Sequence, residues 1–583
     1  MLKRYLPILS WGRDYDRPTF EADLIAAVIV TIMLIPQSLA YSLLAGMPPE
    51  YGLYASVLPL LIYAVFGTSR PLAVGPVAVI SLMTAAAVGK VAAQGTPEYI
   101  AAAVALAFLS GVMLVIMGFL RMGFITAFLS HPVLSGFTSA VGILIAAGQM
   151  KHFFGIQGES GGIFDILGGL WAHLGQTNGY TVVISILSLV FLFWARRGLK
   201  PRLLKAGLSE RLAAILTRAA PVYAVAVTIL ITWLFGLEGR GLRVVGTVPL
   251  GFPTPSLPPA DLALWKELFV PALLIAIIGY VETISVAQTL AAKKRQRIDP
   301  DQEFIALGGA SIGSAISGSF PITGGFARSV VSFEAGATTP AAGAFTAIGV
   351  ALATFTLTPA LYYLPQATLA ATIFVSVLTL VDTKALKRTF KYAPREGIGM
   401  ALTVLVTLIW GVEDGIAFGV ILSIALRLWA SSRPHVAELG QVPGTEHFRN
   451  VQRHRVSCAP GILSLRIDES LWFPNARFVE EMIYDRIASD ETIKHVVLNC
   501  PAINHIDMSA LEALEEVNDQ LNDAGVRLHL SEVKGPVMDR LTRSDLITHL
   551  TGQIYLTHYD ALATLAPETT QGCAHESRIE THR

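Results

Sequence analysis

The sequence predicts an α-helical polytopic membrane protein with fourteen transmembrane segments in a seven-plus-seven inverted repeat, followed by a C-terminal α/β domain. Three observations predict it. The 583 residues are 53% hydrophobic and 15% charged, with a mean hydropathy of +0.56, where soluble globules carry about 25% charged residues. Long apolar runs recur until Arg433-Pro434 and then stop. Between those runs, loops rich in Lys and Arg alternate with loops that are poor in them.

A spanning helix needs roughly 20 apolar residues, and fewer where it is broken inside protein. On that rule the segments fall at 22–46, 51–67, 76–93, 99–120, 126–147, 179–195, 219–236, 268–291, 303–319, 325–337, 341–359, 367–381, 397–411 and 414–430. Loops after even-numbered segments hold Arg196, Arg197, Lys200, Arg202, Lys205, Arg211 and Arg218, then Lys293, Lys294, Arg295 and Arg297, then Lys384, Lys387, Arg388, Lys391 and Arg395. The long loops after odd segments carry Lys151 alone, or Arg240, Arg243 and Lys266. The positive-inside rule then places both termini in the cytoplasm. An odd number of spans per half inverts the second half, a common transporter architecture.

The repeat has a focus in the run from Phe304 to Phe333, which is crowded with Gly and Ser and contains one charge, Arg328. A guanidinium in a bilayer costs at least a few kcal/mol unless it faces protein or a cavity. Pro321-Ile322-Thr323-Gly324-Gly325-Phe326 cannot continue a helix smoothly, so a helix is expected to restart just before Arg328. In the first half, Val74-Gly75-Pro76 interrupts the third segment at the corresponding position. Two opposed half-helix N-termini with Arg328 beside them would hold an anion. The competing reading pairs Arg328 with a structural carboxylate or lets it snorkel to an interface.

Other residues bear on the same site. Glu282 is the only charge between Phe269 and Leu290, where an ionised carboxylate is costly. Gln37 lies in the uncharged span Leu24–Pro49 and offers two amide donors to an oxyanion or to another helix. Tyr41, four residues on, shares its helical face and reads equally as packing or an interfacial anchor.

Beyond Arg433 the pattern becomes that of a small α/β domain from about 446 to 566. Ile462–Ile467, Val496–Leu498 and Arg527–Leu530 read as strands. Leu511, Leu514, Val517 and Leu521 recur at helical spacing, ended by Gly525, and Ser509-Ala510-Leu511-Glu512 forms a capping box at the start. The domains expected are therefore 1–433, 446–566 and a polar, disordered tail 567–583.

Several function classes are excluded. Lys plus Arg and Asp plus Glu both total 43, and no basic stripe interleaved with aromatics marks a nucleic-acid partner. The first 20 residues, with Arg4, Arg13, Asp14, Asp16 and Arg17, lack a signal-peptide core and are expected to stay attached. Cys458, Cys500 and Cys573 have no CxxC spacing, and free thiols in a reducing compartment are expected. The 13 histidines show no ligand spacing inside the membrane region, so neither a metal site nor a cofactor is expected. No nucleotide loop or nucleophile constellation points to an enzyme.

The motifs also carry a family resemblance. Pro49-Glu50-Tyr51-Gly52-Leu53-Tyr54-Ala55-Ser56, continued through Tyr63 to Gly67-Thr68-Ser69-Arg70, closely resembles the signature of the SulP sulfate permease and anion exchanger family. Pro36-Gln37-Ser38-Leu39-Ala40-Tyr41, Gly75-Pro76-Val77-Ala78-Val79-Ile80-Ser81, Ile298-Asp299-Pro300-Asp301-Gln302-Glu303-Phe304-Ile305-Ala306-Leu307-Gly308, Thr323-Gly324-Gly325-Phe326-Ala327-Arg328-Ser329 and Ala335-Gly336-Ala337 are similar to it as well. The C-terminal domain resembles the STAS domain.

The resemblance implies core and gate domains, a homodimer in the cell inner membrane, and elevator-like alternating access. It implies an anion site lined by Gln37, Tyr41, Val77, Ala327 and Arg328, where many relatives have Ser at the position of Ala327. It also links Glu282 to proton coupling in sulfate import. Sulfate with Arg328 and ionised Glu282 totals minus two, and a proton on Glu282 lowers that to minus one, which eases desolvation of the loaded site. Bicarbonate or a dicarboxylate, carried by sodium symport or exchange, remains an alternative cargo. An uncoupled anion channel and a membrane-tethered regulator are the rival classes. Asp507-Met508-Ser509 resembles the site at which anti-sigma antagonists are phosphorylated, making Ser509 a candidate regulatory phosphosite that competes with the capping box.

Overall fold

A computed structural model describes residues 5–124, 130–157, 161–247, 251, 255–356 and 358–570. The chain divides into two compact units, Met1–Ser423 and Ile424–Arg583. The expected tail beyond Thr570, with Cys573, lies outside the described residues.

Among its described residues, the regular structure of the first unit is helical apart from two short strands. Its principal elements are α1 (Arg17–Leu44), α2 (Leu58–Phe66), β1 (Val74–Gly75), α3 (Ala78–Val88), α4 (Pro97–Phe119), α5 (His131–Gly148), α6 (Gly179–Trp194), α7 (Glu210–Arg218), α8 (Ala220–Phe235), α9 (Leu262–Lys293), α10 (Pro300–Ile316), β2 (Thr323–Gly324), α11 (Phe326–Ala335), α12 (Ala341–Thr356), α13 (Gln366–Val377) and α14 (Pro394–Trp410). A further helix, α15 (Val412–Ser432), runs across the boundary between the units. Among the described residues, six helices are long and apolar enough to cross a membrane on their own, α9 the longest at 32 residues. Ends are set by local chemistry: Asp16, Thr96, Ser130, Asn178, Asp261 and Asp299 each accept a backbone N–H in the first turn of the helix that follows.

The helices pack in two groups. One contains α1 to α4 and α9 to α12, and the other α5, α6, α8, α13 and α14. Close approach in the first group depends on glycine: a Cβ on Gly111 of α4 would sit 2.8 Å from the Gly308 carbonyl oxygen of α10, and one on Gly308 would sit 2.6 Å from that of Gly111. Helix α1 joins the groups by packing on α8 and α13, as does α3 by packing on α5.

Two buried carboxylates tie distant loops to this frame. Glu303 on α10 accepts from Thr68 N at 2.7 Å, Thr68 Oγ1 at 2.5 Å, Ser69 N at 3.0 Å and the Tyr63 hydroxyl at 2.9 Å. Asp23 on α1 accepts from Thr338 N at 2.7 Å, Thr338 Oγ1 at 2.9 Å, Thr339 N at 3.1 Å and Thr339 Oγ1 at 2.5 Å. The first staple anchors the approach to β1, and the second anchors the exit from α11.

The second unit carries a six-stranded mixed sheet of order β4-β3-β5-β6-β7-β8, formed by β3 (Val436–Gln441), β4 (Phe448–Asn450), β5 (Ile462–Ile467), β6 (His495–Asn499), β7 (Arg527–Ser531) and β8 (Ile554–Tyr555). β5 to β8 are parallel, with α16 (Phe473–Ser489) and α17 (Met508–Asp523) as crossovers, whereas β3 is antiparallel to β4 and β5. The expected strands near 462, 496 and 527 are present, and Gly525 has a φ of +72° just past the end of α17.

The capping box expected at Ser509 is a correction. The helix begins one residue earlier, at Met508, and is capped by Asp507, whose carboxylate accepts from Ala510 N at 2.9 Å and from Phe473 N at 2.9 Å. Asp caps a helix at least as well as Ser, and the two oxygens of Asp507 serve two helices at once. Ser509 is left exposed within the first turn.

Two predictions follow from these contacts. Replacing Glu303 by Gln removes the charge that four donors converge on, so it should cost about 1.5–3 kcal/mol, read as a lower thermal unfolding temperature in detergent, with Glu303→Asp losing less. In the second unit, burial pushes the imidazoles of His529 and His558 down to about 4. The unfolded chain takes up those protons near about 6.5, so stability present above that pH should be lost as pH falls from there towards 4. Hydrogen exchange in β7, corrected for intrinsic pH dependence, should show weaker protection at acid pH.

Candidate functional site

The two glycine interruptions meet. β1 and β2 pair antiparallel, with Val74 opposite Gly324 and Gly75 opposite Thr323. Each strand leads at once into a short helix, α3 of 11 residues and α11 of 10, each about half of a roughly 30 Å hydrocarbon core at 1.5 Å per residue. Because the strands are antiparallel, the helices leave in opposite directions and their N-terminal ends come together at the pair. Neither start has a side-chain cap: the N-cap residues are Val77 and Gly325. The orphan N–H groups of both first turns thus remain available for a negative charge.

Neighbouring side chains hold the pair rigidly. Ser329 Oγ accepts from Ala73 N at 2.9 Å and donates to the Gly325 carbonyl at 2.7 Å, while Gly325 N donates to the Ala73 carbonyl at 3.0 Å. From α9, Thr283 Oγ1 accepts from Gly324 N at 2.9 Å and lies 2.6 Å from Thr323 Oγ1, which donates to the Gly279 carbonyl at 2.6 Å. These bonds satisfy irregular backbone at membrane depth, where water cannot.

Arg328 sits in the first turn of α11, 2% exposed. Its Nη1 donates to the Pro76 carbonyl at 2.6 Å, across to the other interruption. Its Nε and Nη2 are buried with no hydrogen-bond partner among the described residues. The guanidinium lies against glycine on both sides: a Cβ on Gly325 would come within 2.9 Å of Nη2, and one on Gly75, whose φ is +148°, within 3.4 Å. Snorkelling to an interface is therefore not what this residue does.

Glu282 projects from α9 next to Thr283, and its Oε2 is likewise buried without a hydrogen-bond partner among the described residues. The carboxylate makes no ion pair with Arg328, although the two charges lie within electrostatic reach. Tyr41 is buried on α1, its hydroxyl 3.5 Å from Ser376 Oγ of α13, and it too lies near Arg328. Gln37 is half-buried one turn earlier, just after Pro36, with its amide free of partners among the described residues. Val77 is buried at the start of α3, and Phe326 and Ala327 are exposed at the start of α11. Six of the seven residues singled out in the sequence thus belong to one unit around the strand pair, and Ser509 belongs to the other.

Sequence reasoning passed over Asp23 and Glu303 as structural anchors. Each is an acidic residue at the border of an apolar segment, where flanking charges such as Glu21 and Asp301 make it stand out less than Glu282, which lies inside one.

Opposed half-helices around a buried, half-satisfied arginine, inside a bundle of apolar helices, define a polytopic membrane protein of the broken-helix kind. The chain belongs to the sulfate permease family, whose model matches residues 20–403, and a STAS domain model matches residues 454–561. It is 34% identical over 555 residues to Sulfate transporter 4.1, chloroplastic, of Arabidopsis thaliana, covering 93% of this chain and 79% of that one. It is 30% identical over 591 residues to High affinity sulfate transporter 1 of Stylosanthes hamata, covering 97% and 87%. Among solved structures, SLC26A9 superposes with a TM-score of 0.89 at 22% identity, over 98% of this chain and 94% of that one. The transmembrane domain of the cyanobacterial bicarbonate transporter BicA gives 0.59 at 17% identity, over 70% and 98%. At these identities the structural likeness establishes the fold alone.

The geometry makes a prediction for Gly325. Its Cβ contact with the guanidinium means that Gly325→Ala should push Arg328 aside without removing its charge or the Ser329 bonds. Anion-dependent thermal stabilisation should fall by about tenfold in apparent affinity, one misplaced charge-assisted hydrogen bond, while the unliganded unfolding temperature moves little.

Proposed function

We propose that the protein is a secondary active inorganic-anion transporter that imports sulfate together with a proton by elevator-type alternating access. The single observation that carries this reading is Arg328: buried, bonded to Pro76 through one nitrogen, and presenting two unpartnered nitrogens between two half-helix N-termini. A tetrahedral dianion would satisfy those donors together with the first-turn N–H groups of α3 and α11, and Gln37 and Tyr41 would close it from α1. Val77 and Ala327 then form the wall, with Ala327 contributing its backbone N–H and no hydroxyl. The family membership and the sulfate transporters among its relatives support sulfate as cargo.

In this reading the helices form fourteen spans in a seven-plus-seven inverted repeat, with the strand pair where the repeats meet. The group bearing α3 and α11 is the moving core and the other group the gate. Residues 1–433 form the transport domain and 446–566 the cytoplasmic STAS domain. The protein works as a homodimer in the cell inner membrane with both termini cytoplasmic. Ser509, exposed beside Asp507, is the residue open to regulatory phosphorylation.

Glu282 supplies the coupling. Its unpartnered oxygen near Arg328 accepts a proton when the dianion arrives, so the loaded site carries a net charge of minus one instead of minus two. A permanent Glu282–Arg328 pair would have consumed both charges, and none is made.

The test is uptake of labelled sulfate into proteoliposomes. Uptake should rise with an inward proton gradient, and Glu282→Gln should carry sulfate with no gradient dependence. Arg328→Gln should lose at least about tenfold in uptake, the loss of a charged hydrogen-bond donor. Gradient-independent uptake by the unmodified protein would remove the coupling, and a competition panel of bicarbonate and dicarboxylates would reassign the cargo.

A further inference from the structure

Each half-helix is held at its far end as well as at the strand pair. Lys90, two residues past the end of α3, forms an ion pair with Glu413 in the first turn of α15. Glu334, the second-last residue of α11, forms one with Arg218, the last residue of α7. Since α3 and α11 run in opposite directions from the strand pair, the two ion pairs lie at opposite ends of the site.

Both pairs also cross the boundary between helix groups. α7 packs on α8, which belongs to the second group. α15 lies against that group too: a Cβ on its Gly419 would meet Val133 of α5 and Thr403 of α14. The Lys90–Glu413 pair walls a cavity of about 650 Å³ between α3, α5 and the α14–α15 turn, which Ala86 and Gln94 also line. Glu413 is 13% exposed, and its second oxygen is buried with no partner, so Lys90 is its only counter-charge among the described residues.

We infer that Lys90–Glu413 and Arg218–Glu334 act as paired clamps that hold the half-helix group against the second group in this conformation. Any displacement of one group along the membrane normal separates both pairs at once, so both favour the same state. The inference rests on the alternating-access reading and goes beyond it by naming what sets the resting population. Partly exposed ion pairs are weak, and that suits the role: each shifts a two-state population about 2- to 5-fold, enough to set a resting state and too little to arrest exchange. The pairs are remote from one another and share no residue, so their effects multiply.

The experiment uses the full-length chain with its three native cysteines replaced by Ser and a reporter cysteine at Ala86, in proteoliposomes treated with a membrane-impermeant maleimide. Glu413→Gln and Glu334→Gln should each change the labelling rate about 2- to 5-fold in the same direction, the double variant should approach the product, and Lys90→Glu with Glu413→Lys should restore the original rate. A second reporter at Gln94 repeats the measurement if Ala86→Cys folds poorly. Unchanged rates, opposite directions, or a charge swap that fails to restore would overturn the clamps. Sulfate is the independent control: if it alters labelling while the neutralisations do not, the clamps fail and alternating access stands. If the neutralisations alter labelling and sulfate does not, the clamps stand and the sulfate reading fails.

Discussion

Two residue pairs, Val74 with Gly324 and Gly75 with Thr323, constrain everything else in the membrane unit. An antiparallel bridge of this length has little stability of its own. Its consequence is geometric: the two chains must leave it in opposite directions, and whatever helix follows each one must begin there. Irregular backbone at that depth is tolerated only where protein replaces water as its partner. The hydroxyls of Thr283, Thr323 and Ser329 provide this from three directions. The bundle is built to keep four residues from becoming helix.

The same constraint explains where the charge sits. A guanidinium buried without bonds is costly, yet a fully paired one has nothing left to offer a ligand. Arg328 lies between these limits, bound through Nη1 to Pro76 and unbound at Nε and Nη2. The bond to Pro76 crosses from one interruption to the other, so the cation reinforces the strand pair that positions it. Asp23 and Glu303 extend that logic outwards. Each converts a hydroxyl-bearing turn into a fixed anchor, Glu303 holding the segment that enters β1 and Asp23 the segment that leaves α11.

Much of this was legible in the sequence because the membrane penalises exceptions. A lone arginine, a lone glutamate and two glycine interruptions stand out among apolar residues, and all four meet in one region. The helical membrane class and the parallel strands at 462, 496 and 527 follow from apolar length and periodicity alone. What was not legible depended on contacts between distant segments. Nothing local in Asp23 names Thr338 and Thr339 as partners, which lie more than 300 residues on. β4 has only three residues, and β3, though as long as β5, reads Val-Ala-Glu-Leu-Gly-Gln with few β-branched or aromatic residues, so the pattern gave no reason to separate them from loop. Ser509 lost the cap to Asp507 because that carboxylate also serves α16, a tertiary demand that a four-residue box does not encode.

Glu282 and Arg328 stand close together without forming an ion pair. Had they formed an ion pair, the buried site would have been neutral and satisfied, and an incoming dianion would have had to break that pair while adding two charges. Instead both groups retain unpartnered atoms within electrostatic reach of each other. Such an arrangement is unfavourable when empty, because each buried polar atom lacks the bond it would have in water. In the proposed cycle an oxyanion would take up the free donors while a proton on Glu282 would remove its buried negative charge, so that each binding step would ease the other. On that proposal, cooperation between anion and proton would arise from two incomplete groups on different helices, α9 and α11, held by the hydroxyls that bond β2 to α9.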